Sequence, residues 1–232
     1  MNILAIDTAT EVCSVALTGD GLQMERFEDS APQASRIILA MIDDLMQQAG
    51  YQWDDIQLLA FGHGPGSFTG VRVATGLIQG LALGQGLPVL GISTLAAIAW
   101  AALHDHADKD KDRPVLAALD ARMGELYWAC YQCNDAGMLT CMTEDALGQA
   151  DDVYLPRTGH WLAAGNAITS YAGPLEARLS AANTKIDWLP DITPRALHIA
   201  ELADQKIALG AKPCTAEQVQ PVYLRHRVVQ HG

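Results

Sequence analysis

The chain lacks several features, and each shortage excludes a class of protein. No stretch approaches the roughly 18 apolar residues in a row that a membrane helix needs. Lysine and arginine number 15 against 27 aspartate and glutamate residues, a formal net charge of −12. So acidic a chain is not the main grip on RNA or DNA, which requires clustered basic residues. The opening residues, Met1–Asp7, carry no basic segment ahead of their apolar run, so no secretory signal is predicted. We expect a cytoplasmic protein.

Cysteine is also scarce, with five residues, an odd number. Cys130 and Cys133 have the spacing of a zinc or redox motif. However, they end a strand-like run instead of opening a helix, and the chain holds no second such pair. Packed free thiols are the favoured interpretation. Half of the 232 residues are hydrophobic, enough for the core of one large domain or two small ones.

The first part of the sequence alternates strand-like and helix-like patterns. Three strands come first, at Asn2–Asp7, Val12–Leu17 and Leu22–Phe27. The elements that follow are a helix over residues 32–48 with a capping box at Ser30–Gln33, a strand at Leu58–Phe61, a helix at Val71–Leu83, a strand at Val89–Ile92 and a helix at Thr94–Leu103. His104–Arg113 is polar and is predicted to be a linker.

The second part repeats this order. Val115–Asp120 echoes Asn2–Asp7, and each ends in an aspartate. The later predicted elements are strands at Glu125–Tyr131, Met138–Met142 and Trp161–Gly165, a helix at Ala167–Leu179, and a last helix at Pro194–Leu209 capped by Thr193. The echo predicts an α/β protein with a duplicated ribonuclease-H-like fold, the actin-like ATPase architecture, built from two βββαβα-type subdomains. We place the first in residues 1–106 and the smaller second in residues 107–232, with the helix at 194–209 and the tail as candidates to pack back on the first.

The glycine-rich stretch Gly62–Arg72 is the most informative motif. It follows a buried strand and opens a helix that Ser67 or Thr69 can cap, as phosphate-binding loops do. In the predicted fold, the aspartate-ended hairpins of the two halves would pinch a nucleotide. The residues at Asp120–Gly124 lack the adjacent glycines that let backbone N–H groups approach a phosphate. We therefore predict a remnant of a nucleotide cleft, with these members: Asp7, Thr8, Thr10, Gly64, Gly66, Ser67, Asp120 and Arg122.

Five ordered motifs together resemble one family. They are Ile6–Thr10, Gly64–Arg72 (GPGSFTGVR), Gly91–Leu95, Leu119–Tyr127 and Pro221–Arg225. They resemble the bacterial TsaB (YeaZ) family, nearly end to end. The resemblance implies a non-catalytic scaffold in making threonylcarbamoyladenosine (t6A) at adenosine 37 of tRNAs that read ANN codons. It further implies a heterodimer with the catalytic paralogue TsaD, a TsaE-type ATPase partner and only indirect contact with tRNA. No tightly bound cofactor is expected, with ATP or ADP a candidate ligand at the subunit junction.

The sequence itself bears on catalysis. The catalytic paralogue binds metal through a histidine pair four residues apart, and aligning on Gly91 puts Thr94 and Ile98 at those positions. Neither is a metal ligand. Ser67 is not in a GxSxG elbow, because Pro65 stands in place of the first glycine. A stand-alone actin-like-fold ATPase or kinase and a peptidase-like hydrolase remain the alternatives.

The predicted helices at 32–48 and 71–83 carry more apolar surface than one sheet requires. Either the sheet of the same domain covers both, or they dock on a related subunit, TsaD by the resemblance and a second copy when the chain is alone. Glycines within the second helix allow close backbone approach. The residues assigned to partner binding are Ile37, Leu39, Ile42, Met46, Val73, Leu77, Gly80 and Leu81.

Overall fold

The computed structural model describes residues 1–29, 34–105, 113–180 and 184–225. The first sheet contains β1 (Ile3–Asp7), β2 (Val12–Gly19), β3 (Leu22–Asp29), β4 (Leu58–Gly64) and β5 (Val89–Ser93). Their order across the sheet is β3-β2-β1-β4-β5. The first three strands form an antiparallel meander, and β4 and β5 add to it in parallel.

The second sheet contains β6 (Val115–Arg122), β7 (Glu125–Cys133), β8 (Leu139–Cys141), β9 (Ala146–Gly148), β10 (His160–Ala164) and β11 (Lys185–Leu189). Its order is β11-β10-β6-β7-β8, with the short β9 paired to β7 off this path. Starting from β6 as the first strand and leaving out β9, the spatial order matches that of the first sheet. The predicted duplicated ribonuclease-H-like fold is confirmed. Strands β9 and β11 were not predicted.

Six helices complete the described fold: α1 (Ala34–Ala49), α2 (Phe68–Gln85), α3 (Thr94–Asp105), α4 (Ala167–Ser170), α5 (Ala172–Ser180) and α6 (Ala196–Ala208). Helices α1 and α2 cover one face of the first sheet, and α3 and α6 fill the space between the two sheets. Helices α4 and α5 cover the far face of the second sheet. None of the described helices has the length and apolar character of a membrane span.

Burial on both sides explains why β1 reads as an uninterrupted apolar run. Side chains alternate between the faces of a strand, so Leu4 and Ile6 join the core under α1 and α2. Ile3 and Ala5 join the core that α3 and α6 share. Helix α6 thus packs on β1, β2 and β4 of the first sheet, although it follows the second half in sequence. The domain boundary at residues 106/107 lies outside the described residues and stays a prediction.

Several predicted boundaries were wrong. Thr193 does not cap α6, because Arg195 is still extended (φ −136°) and occupies the N-cap position. The helix predicted over 167–179 is divided at Tyr171, and Pro174 lies in the first turn of α5, where its missing N–H is no loss. The predicted linker begins later than His104, since α3 continues to Asp105. The predicted capping box at Ser30–Gln33 and most of the linker lie outside the described residues.

Candidate functional site

The glycine-rich loop joins β4 to α2, as predicted, and its serine begins the helix. Ser67 is the N-cap of α2, and its Oγ accepts a hydrogen bond from the N–H of Gly70 at 3.3 Å. This contact satisfies one of the backbone donors that every helix start leaves unpaired. The cap prediction for Ser67 is confirmed. Gly86, in the left-handed region at φ 66°, ends the same helix.

The loop packs directly on the turn between β1 and β2. The N–H of Ser67 donates to the Ala9 carbonyl at 2.7 Å, and Thr8 Oγ1 donates to the Gly70 carbonyl at 2.6 Å. A Cβ added at Gly66 would overlap the Ala9 carbonyl, and one at Gly70 would overlap the Thr8 carbonyl. These two glycines therefore permit contact with the protein's own turn. A phosphate cradle needs free N–H groups in an open loop, and here carbonyl oxygens already occupy the approach.

Asp7 is fully buried at the end of β1. Its Oδ1 accepts a long hydrogen bond from the N–H of Ala9 (3.4 Å), while its Oδ2 has no partner among the described residues. Burial raises the pKa of Asp7 to about 8, so the side chain is largely protonated at neutral pH. A Cβ at Gly62 would overlap this carboxyl group, which explains the glycine there. Asp7 is a neutral, enclosed acid, unlike a metal-binding carboxylate.

Asp120 lies near the end of β6, at the equivalent position of the second half. Its Oδ1 accepts hydrogen bonds from the N–H of Arg122 (2.8 Å) and from the Tyr171 hydroxyl (3.0 Å). Its Oδ2 forms an ion pair with the Arg122 guanidinium at 3.1 Å. The side chain of Arg122 is otherwise exposed. Asp120 stabilises its own turn, as Thr10 does in the first hairpin by accepting from the N–H of Val12 at 3.4 Å.

The structure does not pair His63 with Ser67. Burial, and to a lesser extent the charge of Lys206, lowers the pKa of His63 to about 4, so the imidazole is neutral. Ser67 Oγ is engaged within the helix it caps. Thr94 and Ile98, at the positions aligned with the metal-binding pair, are buried in the central core. Within the described ranges, no group of three or more histidine, cysteine or acidic residues could hold a metal ion.

One polar cluster was missed by the sequence reasoning. Asp145 accepts hydrogen bonds from Ser93 Oγ at 2.6 Å and from the Tyr131 hydroxyl at 2.8 Å. Burial raises the pKa of Asp145. Ser93 ends β5 and Tyr131 lies on β7, so the cluster joins the two sheets. Ser93 is part of a recognised motif, but Asp145 follows a short edge strand in a segment without periodicity, and nothing in the sequence brings the two together.

The outer face of α1 and α2 presents a flat surface. Leu39 on α1 is 47% exposed and Leu83 on α2 is 71% exposed. Gly76, Gly80 and Gly84 recur every four residues on α2, and a Cβ added at any of them would meet nothing within 4 Å. We call this surface, formed by the two leucines and the three glycines, the docking face. The half-buried Ile37, Val73, Leu77 and Leu81 border it.

Two residues assigned to partner binding belong elsewhere. Ile42 is 1% exposed and Met46 is 6% exposed, and both pack in the core beneath α1. The assignment of these two to a partner surface is therefore corrected. Helix α1 is enclosed over a wide arc, because Tyr51 and Trp53 pack against the same core as Met46. Leu83 was inside the predicted helix but was not among the chosen residues.

Comparisons with known proteins agree on one family. The sequence model described as "TsaD: tRNA N6-adenosine threonylcarbamoyltransferase" matches residues 28–210. The chain is 39% identical to the "tRNA threonylcarbamoyladenosine biosynthesis protein TsaB" of Escherichia coli K12, over 98% of this chain and 96% of that protein. It is 35% identical to the TsaB protein of Haemophilus influenzae, over 98% and 95% respectively. The solved structure of YeaZ from Pseudomonas aeruginosa superposes with a TM-score of 0.86 at 36% identity, covering 96% of this chain and 99% of that one.

Proposed function

Because the chain belongs to the TsaB (YeaZ) family, we propose that it serves the synthesis of threonylcarbamoyladenosine in tRNA as a subunit without catalytic chemistry of its own, by docking on the catalytic TsaD-type paralogue. The role in this biosynthesis follows from the family. The non-catalytic character and the mode of docking are our inference, and the docking face carries it.

The three glycines of the docking face argue for a partner. A glycine inside a helix destabilises it by roughly 0.5–1 kcal/mol relative to alanine. Gly76, Gly80 and Gly84 face open space, so nothing in the part of the chain that the structure describes requires them. Helices that present small residues along one line allow another helix backbone to approach closely. We infer that helices of the paralogue lie along α2 and α1, with Leu39 and Leu83 packing at the sides.

The groups that might do chemistry are already engaged. Asp7 is buried and neutral, Asp120 is bound within its own turn, and Ser67 caps a helix. An activated nucleophile needs a base in hydrogen-bonding reach. His63 instead packs edge-on against Phe61. These contacts favour a non-catalytic subunit over a stand-alone kinase or peptidase.

The packing of the glycine loop argues against tight nucleotide binding by the isolated chain. The Ala9 carbonyl lies against Gly66 and the Thr8 carbonyl against Gly70, so the loop is held against the chain's own β1–β2 turn. We propose that the chain alone binds no nucleotide tightly, and that ATP or ADP is held only at the junction of the assembled complex.

Further partners follow from the same proposal. A TsaE-type ATPase would act on the assembled pair, and tRNA would be gripped mainly by the partners, since this chain has a net charge of −12. When the paralogue is absent, the apolar docking face is expected to pair with a second copy of the chain.

A leave-one-out reconstitution tests the function. Purified partner proteins, tRNA, ATP, threonine and bicarbonate are incubated with and without this chain, and the modified nucleoside is quantified by mass spectrometry. Product that requires the chain, with none from the chain alone, is the expected result. Equal product in its absence, or product from the chain alone, would overturn the proposal. Adding the Leu39→Glu, Leu83→Glu variant in place of the wild type should give the same result as omission.

A further inference from the structure

The C-terminal segment contacts β5, α2 and the end of β4 in the first subdomain. Cys214 forms an antiparallel bridge with Val89 at the edge strand β5. The Val219 carbonyl accepts a hydrogen bond from Gln79 of α2 at 2.9 Å. The N–H of Val222 then donates to the His63 carbonyl at 2.8 Å. The segment therefore lies alongside α2 and ends over the glycine-rich loop.

Arg225 connects this segment to the second subdomain. Its guanidinium forms an ion pair with Glu125 at 2.6 Å and donates to the Ala121 carbonyl at 3.1 Å. The same group lies 3.6 Å from the sulfur of Met123. Arg225 thus fixes the tail against the turn between β6 and β7, beside the mouth of the interdomain cleft.

Exposed apolar and arginine side chains line up along this crossing. Phe68 is 52% exposed and Met123 is 57% exposed. Phe68 and Tyr223 contact each other with ring centroids 5.8 Å apart. The Arg72 guanidinium lies 3.6 Å above the Phe68 ring, and its Nε donates to the Tyr223 hydroxyl at 2.7 Å. We call these four residues and Arg225 the rim.

Met123 is exposed at a steric cost. It and Arg122 adopt φ values of 60° and 64°, the left-handed region that glycine or asparagine normally fills in such a turn. Non-glycine residues held there are strained, and strain of this kind concentrates at functional sites. The turn keeps a large apolar side chain pointing outward in a conformation that a glycine would adopt more easily.

We propose that the rim is a second contact surface for the same protein that covers the docking face. This inference rests on the proposed function, and it adds the tail and the β6–β7 turn to the partner footprint. Continuity supports it, because Arg72, Gly76 and Gly80 follow one another at four-residue intervals along α2. Phenylalanine, tyrosine, methionine and arginine are the residues enriched in protein interfaces.

The charges of the rim favour a protein over RNA. Arg225 is neutralised by Glu125, and the neighbouring Arg122 by Asp120. Arg72 is the one arginine of the rim for which the described residues supply no acidic partner. A single uncompensated charge on a chain of net charge −12 is too little to hold a phosphate backbone. It suits a carboxylate on a protein partner placed beside apolar side chains.

The test measures the affinity of the purified TsaD-type paralogue for two rim variants by titration calorimetry. Phe68→Ala removes an exposed ring from a helical position, and Met123→Gly removes an exposed side chain while relieving the strained turn. Each is expected to weaken association tenfold or more while circular dichroism shows a folded chain, and Met123→Gly is expected to raise the melting temperature. Tyr154→Ala removes a similarly exposed aromatic side chain outside the rim and should change the affinity less than twofold.

The outcomes separate this inference from the proposed function. Gly80→Ala, measured in parallel, reports on the docking face alone. Weakened association with Gly80→Ala but wild-type affinity for both rim variants would overturn the rim and leave the docking face standing. Wild-type affinity for all three variants would overturn both. Unchanged association together with weaker tRNA binding by the complete assembly would show the rim to be an RNA surface and would also overturn the proposal.

Discussion

Replacing Gly80 by alanine should make the isolated chain more stable and its complex weaker. Alanine is favoured over glycine inside a helix by about 0.5–1 kcal/mol. The new Cβ would meet nothing within 4 Å, so no clash offsets this gain. For a chain of this size, 1 kcal/mol corresponds to roughly 2–4 °C in melting temperature. We expect a rise of about 1–4 °C by scanning calorimetry.

The same methyl group lies where a partner helix is proposed to approach. Inserting a methyl group into a close-packed contact forces the helices apart or distorts side chains, typically at a cost of about 1–3 kcal/mol. A cost near 1.4 kcal/mol is tenfold in the dissociation constant. Titration calorimetry against the TsaD-type paralogue should therefore show association roughly 5- to 150-fold weaker. The stability and affinity effects have opposite signs, which separates them from a general folding defect.

Gly173 provides the matched control. It lies on α5, over the outer face of the second sheet, and a Cβ there also meets nothing within 4 Å. Gly173→Ala should therefore leave the affinity unchanged, with a smaller stability gain or none, because Pro174 follows it and disfavours helical backbone at a preceding residue that carries a Cβ. Wild-type affinity for Gly80→Ala would refute the close helix approach. So would a drop in its melting temperature, because the glycine would then be required by the fold itself.

Three further predictions follow from particular contacts. Leu39→Glu combined with Leu83→Glu should abolish association as judged by gel filtration. Circular dichroism should stay unchanged, because both side chains are exposed on the docking face. Retained binding would contradict the docking face. Asp7 has its pKa raised from 3.8 to about 8, so the folded chain retains a proton that the unfolded chain loses in this interval, and the contribution of Asp7 to stability should fall as pH rises from about 4 to 8. His63, with its lowered pKa, acts in the opposite direction but is common to wild type and Asp7→Asn. Between pH 4 and pH 8 the wild type should therefore lose up to about 6 kcal/mol relative to Asp7→Asn in urea unfolding, the ceiling set by about four pKa units, and equal changes in the two proteins would refute the neutral acid. Ser67→Ala should lower stability by about 1 kcal/mol through loss of the α2 cap while changing modification activity by no more than a few-fold, and a loss of several orders of magnitude with intact assembly would make Ser67 catalytic.

The fold was predictable because its signals are local and repeated. β1 and β6 are buried on both faces, so each reads as an apolar run ending in an aspartate. The recurrence of that pattern indicated two copies of one unit. Strand β11 was missed because none of its five residues is fully buried, which leaves no sharp hydrophobic pattern. The helix at 194–209 was only a candidate to pack back on the first half, because the apolar face of a helix does not indicate which sheet it covers.

The candidate site was harder to predict, because a helix with extra apolar residues does not reveal which of them face outward. Ile42 and Leu39 lie three residues apart on α1, yet one is in the core and the other is on the surface. Tyr51 and Trp53, which follow the helix, extend the core around α1 and enclose Met46. Contacts made by residues outside the helix decided the matter. The same is true of Arg225, whose partners lie about a hundred positions earlier.

The glycines show most clearly what the sequence could not distinguish. Gly66 and Gly70 are required by the close approach of the β1–β2 turn, and any side chain there would overlap backbone carbonyls. Gly76 and Gly80 lie further along α2, and nothing in the described part of the chain requires a glycine at either position. In sequence, the four form one glycine-rich region that resembles a phosphate-binding loop. In the structure, the first pair packs against the β1–β2 turn, and the second pair faces open space on α2. The first pair is thus explained by packing within the chain, and the second pair is what the proposed partner contact would explain.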